Sequence, residues 1–162
     1  MANIYIAFDG DNDIQYYWLM KAWKSNDTIP LTFSDAHDFR DIREWSNEES
    51  IKRGLRERMK HASIFVLLVG DHTKYLYKFI RWEIQLAKEM DLPCIVMNLN
   101  GKKGADADNC PKAMLDALAV HVSFNSKILN YAITHWPQYV AEHPTATGAY
   151  HYSSEIYDAL GL

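Results

Sequence analysis

The sequence feature that constrains the fold most is the run from Ile64 to Ala87, which reads IFVLLVGDHTKYLYKFIRWEIQLA. Its first six residues, 64–69, form a continuous apolar run of strand length, which is typical of a strand buried on both faces of a parallel sheet. A short polar loop beginning at Gly70 and Asp71 follows, and then a segment with helical spacing. The order of strand, loop and helix predicts a parallel α/β sheet, in which ligands bind beyond the carboxyl ends of the strands.

Strands and helices alternate along the rest of the chain as well. Strands are predicted at residues 3–8, 30–33, 64–69, 93–98 and 120–124. A helix is predicted at 13–25. A second helix opens with a capping box of Ser46 and Glu49, and its inward face consists of Ile51, Leu55 and Met59. A short third helix is predicted at 112–119, after Pro111. Asn125 or Ser126 caps the last long helix, which buries Ile128, Leu129, Ala132, Ile133 and Trp136, and Pro137 is expected to end or kink it.

This alternation predicts a flavodoxin-like three-layer sandwich with a five-stranded parallel sheet in the order 2-1-3-4-5. The ligand crevice should then lie at the switch between the first and third strands. Residues 1–142 form the expected domain, and 143–162 form a C-terminal tail with a short helix at 154–160.

Composition narrows the classes of function. The net charge of −4 argues against a nucleic-acid-binding protein. Cys94 and Cys110 have neither the spacing of a zinc site nor that of a disulfide framework. The N-terminus lacks the features of a signal peptide, and no apolar run approaches the roughly 18 residues of a membrane span. We therefore expect a cytoplasmic protein without a membrane partner.

Glu83 is the strongest candidate for a functional side chain. Ile80, Ile84 and Ala87 lie on one stripe of the predicted helix, and Glu83 lies inside or beside that stripe. Its neighbours four residues away are Phe79 and Ala87, so no helical ion pair at that spacing is available. A carboxylate among apolar neighbours is costly unless it is paired or used.

Other polar residues have two open interpretations. Asp9, Asp11 and Asp13 follow the first strand, where they could line the crevice or cap the next helix. Asp35, after the second strand, could bind a ribose hydroxyl or form a turn.

The histidines at 61, 121 and 135 lack metal-ligand spacing, so no metal site is expected. The basic residues of 52–60 are expected to form a solvated helix face.

At three segments the chain resembles the bacterial TIR-like domains, a family that includes the TIR proteins of Thoeris anti-phage systems. The segments read FDGDND, IKRGLRERMKHASIFVLLVGDHT and KFIRWEIQLA, and the resemblance spans about residues 3–99. It implies an enzyme that cleaves the nicotinamide–ribose bond of NAD to give a linear or cyclic ADP-ribose signal. The resemblance places Glu83 at the catalytic glutamate, and Phe8, Asp9 and the loop of 71–75, with Thr73, at the nucleotide pocket.

Trp82 and Asp35 are the further substrate-binding candidates. NAD enters as the substrate, so no cofactor is expected, and a separate effector protein is expected to sense the product. After Asp35 the sequence HDFRDIREWSN replaces the proline–glycine loop through which receptor-type TIR domains associate. Self-association therefore stays open.

The implied reaction suits a single carboxylate. Nicotinamide leaves as a neutral base, and the transition state resembles an oxocarbenium ion, which an anionic side chain stabilises. Two alternatives remain at this point. One is a non-catalytic TIR-fold interaction or nucleotide-binding module, since a fold alone does not confer activity. The other is a receiver-like phosphoacceptor domain using Asp9, Asp11, Asp71 and Lys127, against which Asn98 ends the fourth strand where Ser or Thr would be expected.

Overall fold

The structure, a computed structural model, describes residues 2–26, 31–34, 47–76 and 78–162. These residues form one parallel sheet of six strands in the order β2-β1-β3-β4-β5-β6. The strands are β1 (Ala2–Ala7), β2 (Leu31–Ser34), β3 (Ile64–Val69), β4 (Cys94–Asn98), β5 (Ala119–Ser123) and β6 (Ala149–His151). The predicted flavodoxin-like class and the order of the first five strands are confirmed, but the sheet has six strands rather than five.

The sixth strand lies in the segment expected to be a tail. Its three residues are exposed, half-buried and exposed in turn, so only Tyr150 marks an inward position. A pattern with period two needs more residues than that to be recognised. The strand is fixed by pairing with β5, which the sequence does not display.

Helices cover both faces of the sheet. They are α1 (Ile14–Asn26), α2 (Glu48–Met59), α3 (Phe79–Glu89), α4 (Lys112–Leu115), α5 (Ser126–Glu142) and α6 (Ser154–Ala159), and a 3₁₀ turn spans Thr73–Tyr75. Helices α2, α3 and α4 contribute to the core on one face, and α1, α5 and α6 to the core on the other. No helix among the described residues is long and apolar enough to cross a membrane.

The central strand β3 is buried as the apolar run predicts, with each of its six residues at most 2% exposed. Its side chains alternate between the two cores, so Phe65 and Leu67 pack against the α2–α3 side, while Val66 and Leu68 pack against the α1–α5 side. Burying a residue of this size stabilises the fold by roughly 1.5–3 kcal/mol. This strand therefore anchors both layers.

Three details of the helices differ from the sequence prediction. Asn47 caps α2, because its side chain accepts a hydrogen bond from the Ser50 amide at 2.9 Å, whereas Ser46 lies outside the described residues. Helix α4 ends at Leu115, well before the predicted end at 119. Pro137 lies inside α5 and does not end it, because packing of the following turn, including Val140, against the core offsets the backbone hydrogen bond that a proline removes.

The inward faces of α2, α3 and α5 follow the predicted spacing closely. Residues 51, 55 and 59 of α2 are buried, as are 80, 84 and 87 of α3. In α5 residues 128, 129, 132 and 136 are buried and Ile133 is half-buried. Beyond α5, Tyr157 of α6 is fully buried, and its hydroxyl accepts a hydrogen bond from the Ser123 amide at 3.2 Å. The last residues are thereby tied to the end of β5.

Candidate functional site

The candidate carboxylate, Glu83, lies on the inner side of α3 and is 6% exposed. The hydroxyl of Tyr5 donates a hydrogen bond of 2.6 Å to its Oε2 atom. Tyr5 belongs to β1, is fully buried, and stacks on Phe65 of β3 with ring centroids 6.0 Å apart. The carboxylate is thus held by a rigid strand next to the switch between β1 and β3, and its orientation does not depend on a loop.

Tyr5 is the residue of this arrangement that the sequence prediction missed. It lies between Ile4 and Ile6 in an apolar strand, and a buried tyrosine hydroxyl usually finds a hydrogen-bond partner. That signal indicates a polar group packed against β1. It does not say which of the following helices provides the group, because this depends on the crossover connections.

Two of the predicted pocket residues, Phe8 and Asp9, make their contacts at the end of β1. Phe8 packs with the α1-side core, on the other face of the sheet, and stacks on Tyr17 with centroids 5.0 Å apart. Asp9 is 2% exposed and both of its carboxylate oxygens bind its own loop. Its Oδ1 accepts hydrogen bonds from the amides of Asp11 and Asn12, and its Oδ2 accepts one of 2.6 Å from the Asn12 side chain. Asp9 therefore stabilises the turn after β1.

Trp82 lies on the same helix as Glu83, and Thr73 lines a groove together with Ile80 and Ile84 of that helix. Thr73 is fully buried, and its hydroxyl accepts a hydrogen bond from the Gly70 amide at 2.9 Å and donates to the Leu68 carbonyl at 3.4 Å, which closes the turn after β3. Trp82 is half-buried against the α2–α3 core, and the Lys52 ammonium lies 5.3 Å from the centre of its ring. Asp35 lies outside the described residues.

A groove of about 400 Å³ runs between α3, α4 and the turn after β3. Its lining includes Thr73, Lys74, Ile80, Arg81, Ile84 and Lys112. An apolar floor with several cations at the rim is compatible with an anionic ligand, and the volume falls within the usual range for small-molecule pockets.

A smaller cavity of about 180 Å³, which we call the polar cavity, lies beyond the ends of β3 and β4. Its lining includes Asp13, Tyr16, Gly70, Asp71, Asn100 and Asn109. Asp13 is 7% exposed, and its Oδ2 atom has no hydrogen-bond partner in the structure. Burial above all, and then the charges of Asp9 and Asp71, raises the pKa of Asp13 from 3.8 to about 6. The sequence suggested Asp13 only as a crevice residue or a helix-terminus acid.

Burial suppresses the reactivity of two cysteines and one histidine in the described part of the chain. Cys94 and Cys110 are free and buried, and burial raises the pKa of each thiol to about 12, so neither is a thiolate near neutral pH. His121 is fully buried, and burial lowers its pKa to about 4. Among the described residues, no three His, Cys, Asp or Glu side chains are grouped as metal ligands.

Comparison with known families adds one match. The family model for the TIR-like domain of Thoeris protein ThsB matches residues 5–104, which is more than half of the chain. The matched region begins at Tyr5 and includes α3 with Glu83, the loops after β1 and β3, and the first part of the loop after β4. No curated protein matches the chain.

Proposed function

Because the chain belongs to the Thoeris ThsB TIR-like domain family, we propose that it is an enzyme of anti-phage defence that cleaves the nicotinamide–ribose bond of NAD. The product is an ADP-ribose species, linear or cyclic, that acts as a signal for a separate effector protein. Glu83 is the proposed catalytic residue. The observation that carries the proposal is its burial on α3 together with the 2.6 Å hydrogen bond from Tyr5.

The chemistry needs a negative charge more than a proton donor. Nicotinamide leaves the ribose as a neutral base from a cationic precursor, so the leaving group requires no general acid. Positive charge then develops on the ribose ring, as in glycoside cleavage. A carboxylate with a fixed position stabilises that charge without reorganising, and a site with little water strengthens the interaction.

Tyr5 acts as a positioning residue in this proposal. A hydrogen bond from a hydroxyl to a carboxylate is short and stronger than one between neutral groups, which fits the 2.6 Å distance. It fixes the position of the Glu83 carboxylate, which is proposed to face the ribose hydroxyls. The bond also holds α3 at a defined position over β1.

The five proposed substrate-binding residues would contribute to the site in different ways. Trp82 is adjacent to Glu83 on α3, and its half-buried ring can cover one side of the ligand. Thr73 contributes by shaping the turn after β3, and Asp9 by shaping the turn after β1. Phe8 lies towards the α1 side, so a contact between Phe8 and NAD requires that the ligand extend over the ends of the strands. Asp35 is proposed for the ribose from its place after β2 alone.

The choice between hydrolysis and cyclisation depends on what reaches the cationic ribose first. Nicotinamide is released in both cases; attack by water then gives linear ADP-ribose, whereas attack by a nucleophile within the same molecule gives a cyclic ADP-ribose. Apolar neighbours such as Ile80 and Ile84, both at most 2% exposed, favour exclusion of water. Mass spectrometry of the product distinguishes the two outcomes.

The test compares lysates of phage-infected cells that express the wild type, Glu83→Gln or Glu89→Gln. Glu89 lies at the end of the same helix with an exposed side chain, so its substitution makes the same change of charge away from the core. We expect nicotinamide release in the wild type and in Glu89→Gln, and a loss of at least a hundredfold in Glu83→Gln. Infected lysate is used because many such domains need a trigger.

Unchanged NAD in infected wild-type lysate would contradict the catalytic proposal. NAD binding by the purified protein, together with unchanged NAD in the infected lysate, would instead indicate a nucleotide-binding module. Equal activity in Glu83→Gln and the wild type would show that another group carries the reaction. Circular dichroism of each purified variant confirms that it is folded.

A further inference from the structure

The polar cavity contains a polar group for which no residue in the described part of the chain provides a partner. The residue Asp13 is more than nine-tenths buried. Its Oδ2 atom is also buried and accepts no hydrogen bond from the described residues. Such atoms are rare in folded proteins, and each one indicates strain, a functional role, or a bound water or ion. The proposed NAD chemistry at Glu83 makes no use of this group.

The backbone around Asp13 is shaped to admit its carboxylate. A Cβ atom on Gly70 would lie only 2.5 Å from Asp13 Oδ2 and 2.9 Å from Oδ1, so any larger residue would displace the carboxylate. Gly70 is the first residue after β3, and its amide is already bound by Thr73. A glycine at this position therefore keeps the carboxylate against the end of the central strand.

The charged groups around the cavity have both signs, since the loop after β4 adds the ion pair of Lys102 with Asp106 at 3.4 Å to the charges of the other two loops. The loop after β1 contributes Asp9 and Asp11, and the loop after β3 contributes Asp71 and the exposed His72. Asp9 adds charge but not a ligand atom, because both of its oxygens are bound within its own loop. Across the cavity, the side chain of Asn109 donates its amide nitrogen to Asp106 at 2.9 Å, so its amide oxygen is the acceptor that remains for the cavity.

We propose that the polar cavity binds a hydrated divalent cation of the Mg²⁺ or Ca²⁺ class between the carboxylates of Asp13 and Asp71. Such cations prefer oxygen ligands, and Mg²⁺ commonly keeps several waters while one or two carboxylates hold it. Two carboxylates and an amide oxygen fit this sparse type of site, which differs from a cage of three or more acidic or histidine ligands. The volume of about 180 Å³ leaves room for the waters that complete the shell.

A cation at this place would connect three loops at the carboxyl edge of the sheet, namely those after β1, β3 and β4. It would balance the local negative charge and satisfy the buried oxygen of Asp13. Because burial raises the pKa of Asp13 to about 6, protons compete with the cation for its carboxylate. The inference does not depend on NAD cleavage, and its test needs no activity.

The test measures the melting temperature and the heat of binding of the chelator-treated protein with MgCl₂, with CaCl₂, and with NaCl at equal ionic strength. At pH 7.5, a divalent salt at about ten times its dissociation constant should raise the melting temperature by about 3–5 °C relative to NaCl. The increase should be lost at pH 5. The comparison of MgCl₂ with CaCl₂ identifies which cation the site prefers.

Asp13→Asn and Asp71→Asn should each weaken the binding of the divalent cation at least tenfold. Asp11→Asn removes a charge from the same loop but from an exposed residue that does not line the cavity, and it should retain binding within about threefold. If Asp13→Asn does not fold, the exposed Asp71 and the pH comparison still decide the question. Equal melting temperatures in all three salts, or an unchanged response in both Asp13→Asn and Asp71→Asn, would overturn the proposal and leave a buried water as the partner of Asp13.

Discussion

Replacing Asp13 by asparagine is expected to change how the stability of the domain depends on pH. The pKa of Asp13 rises from 3.8 to about 6 on folding, first through burial and then through the charges of Asp9 and Asp71. Between these pH values the folded protein keeps a proton that the unfolded chain releases. The contribution to the free energy of unfolding is therefore fully present below pH 3.8 and is lost as the pH rises through 6.

The size of this contribution follows from the shift in pKa. About two pKa units at about 1.4 kcal/mol each give about 3 kcal/mol, and solvent screening reduces it little because Asp13 is only 7% exposed. His121 acts with the opposite sign, since burial lowers its pKa from 6.5 to about 4. Its contribution, also about 3 kcal/mol, is present above pH 6.5 and is lost as the pH falls through 4. The two effects oppose each other in the total pH profile.

The assay must therefore compare two proteins rather than follow one. Urea unfolding of the wild type and of Asp13→Asn is measured by circular dichroism from pH 4 to pH 7.5, with a chelator present. The difference in unfolding free energy should shift by about 3 kcal/mol across this range, in favour of Asp13→Asn at the higher pH. The buried amide adds an offset that does not vary with pH. A difference that stays constant would refute the reasoning about Asp13.

Three further outcomes are expected. In the same unfolding assay, His121→Gln should become more stable relative to the wild type as the pH falls, which is the opposite of Asp13→Asn. A difference in unfolding free energy that does not vary with pH would contradict this. Tyr5→Phe should lower kcat for nicotinamide release about tenfold with little change in KM, because the bond to Glu83 positions the carboxylate; a change in KM alone would indicate a role in binding. Ending the chain after Glu142 removes β6 and the buried Tyr157, and should lower the unfolding free energy by more than about 3 kcal/mol, whereas an unchanged urea midpoint would show that this segment contributes little.

The sequence predicts most of the fold because its central elements carry strong patterns. Strand β3 was predicted with its observed bounds from an uninterrupted apolar run, and the buried stripes of α2 and α3 follow from helical spacing. The errors occur where tertiary contacts decide the local structure. Packing against the core carries α5 past Pro137, and pairing with β5 creates the short strand β6.

The candidate site was predictable only in part for a related reason. The burial of Glu83 follows from its own helix, whereas its contact with Tyr5 joins residues 78 positions apart. The sequence also does not distinguish Asp9 from Asp13. Both follow the first strand, and either carboxylate could accept the hydrogen bonds of the loop. The structure gives the loop donors to Asp9 and leaves Oδ2 of Asp13 without a partner. Spacing alone does not distinguish between the two carboxylates.

Among the residues that the structure describes, the two strands at the edges of the sheet are short, with four residues in β2 and three in β6. Each therefore offers few open backbone groups to a strand from another molecule, which limits edge-to-edge pairing. Copies of this domain that associate would gain little by continuing the sheet from one molecule into the next. We expect any such assembly to be built from helix faces and loops, and to separate without breaking a backbone ladder.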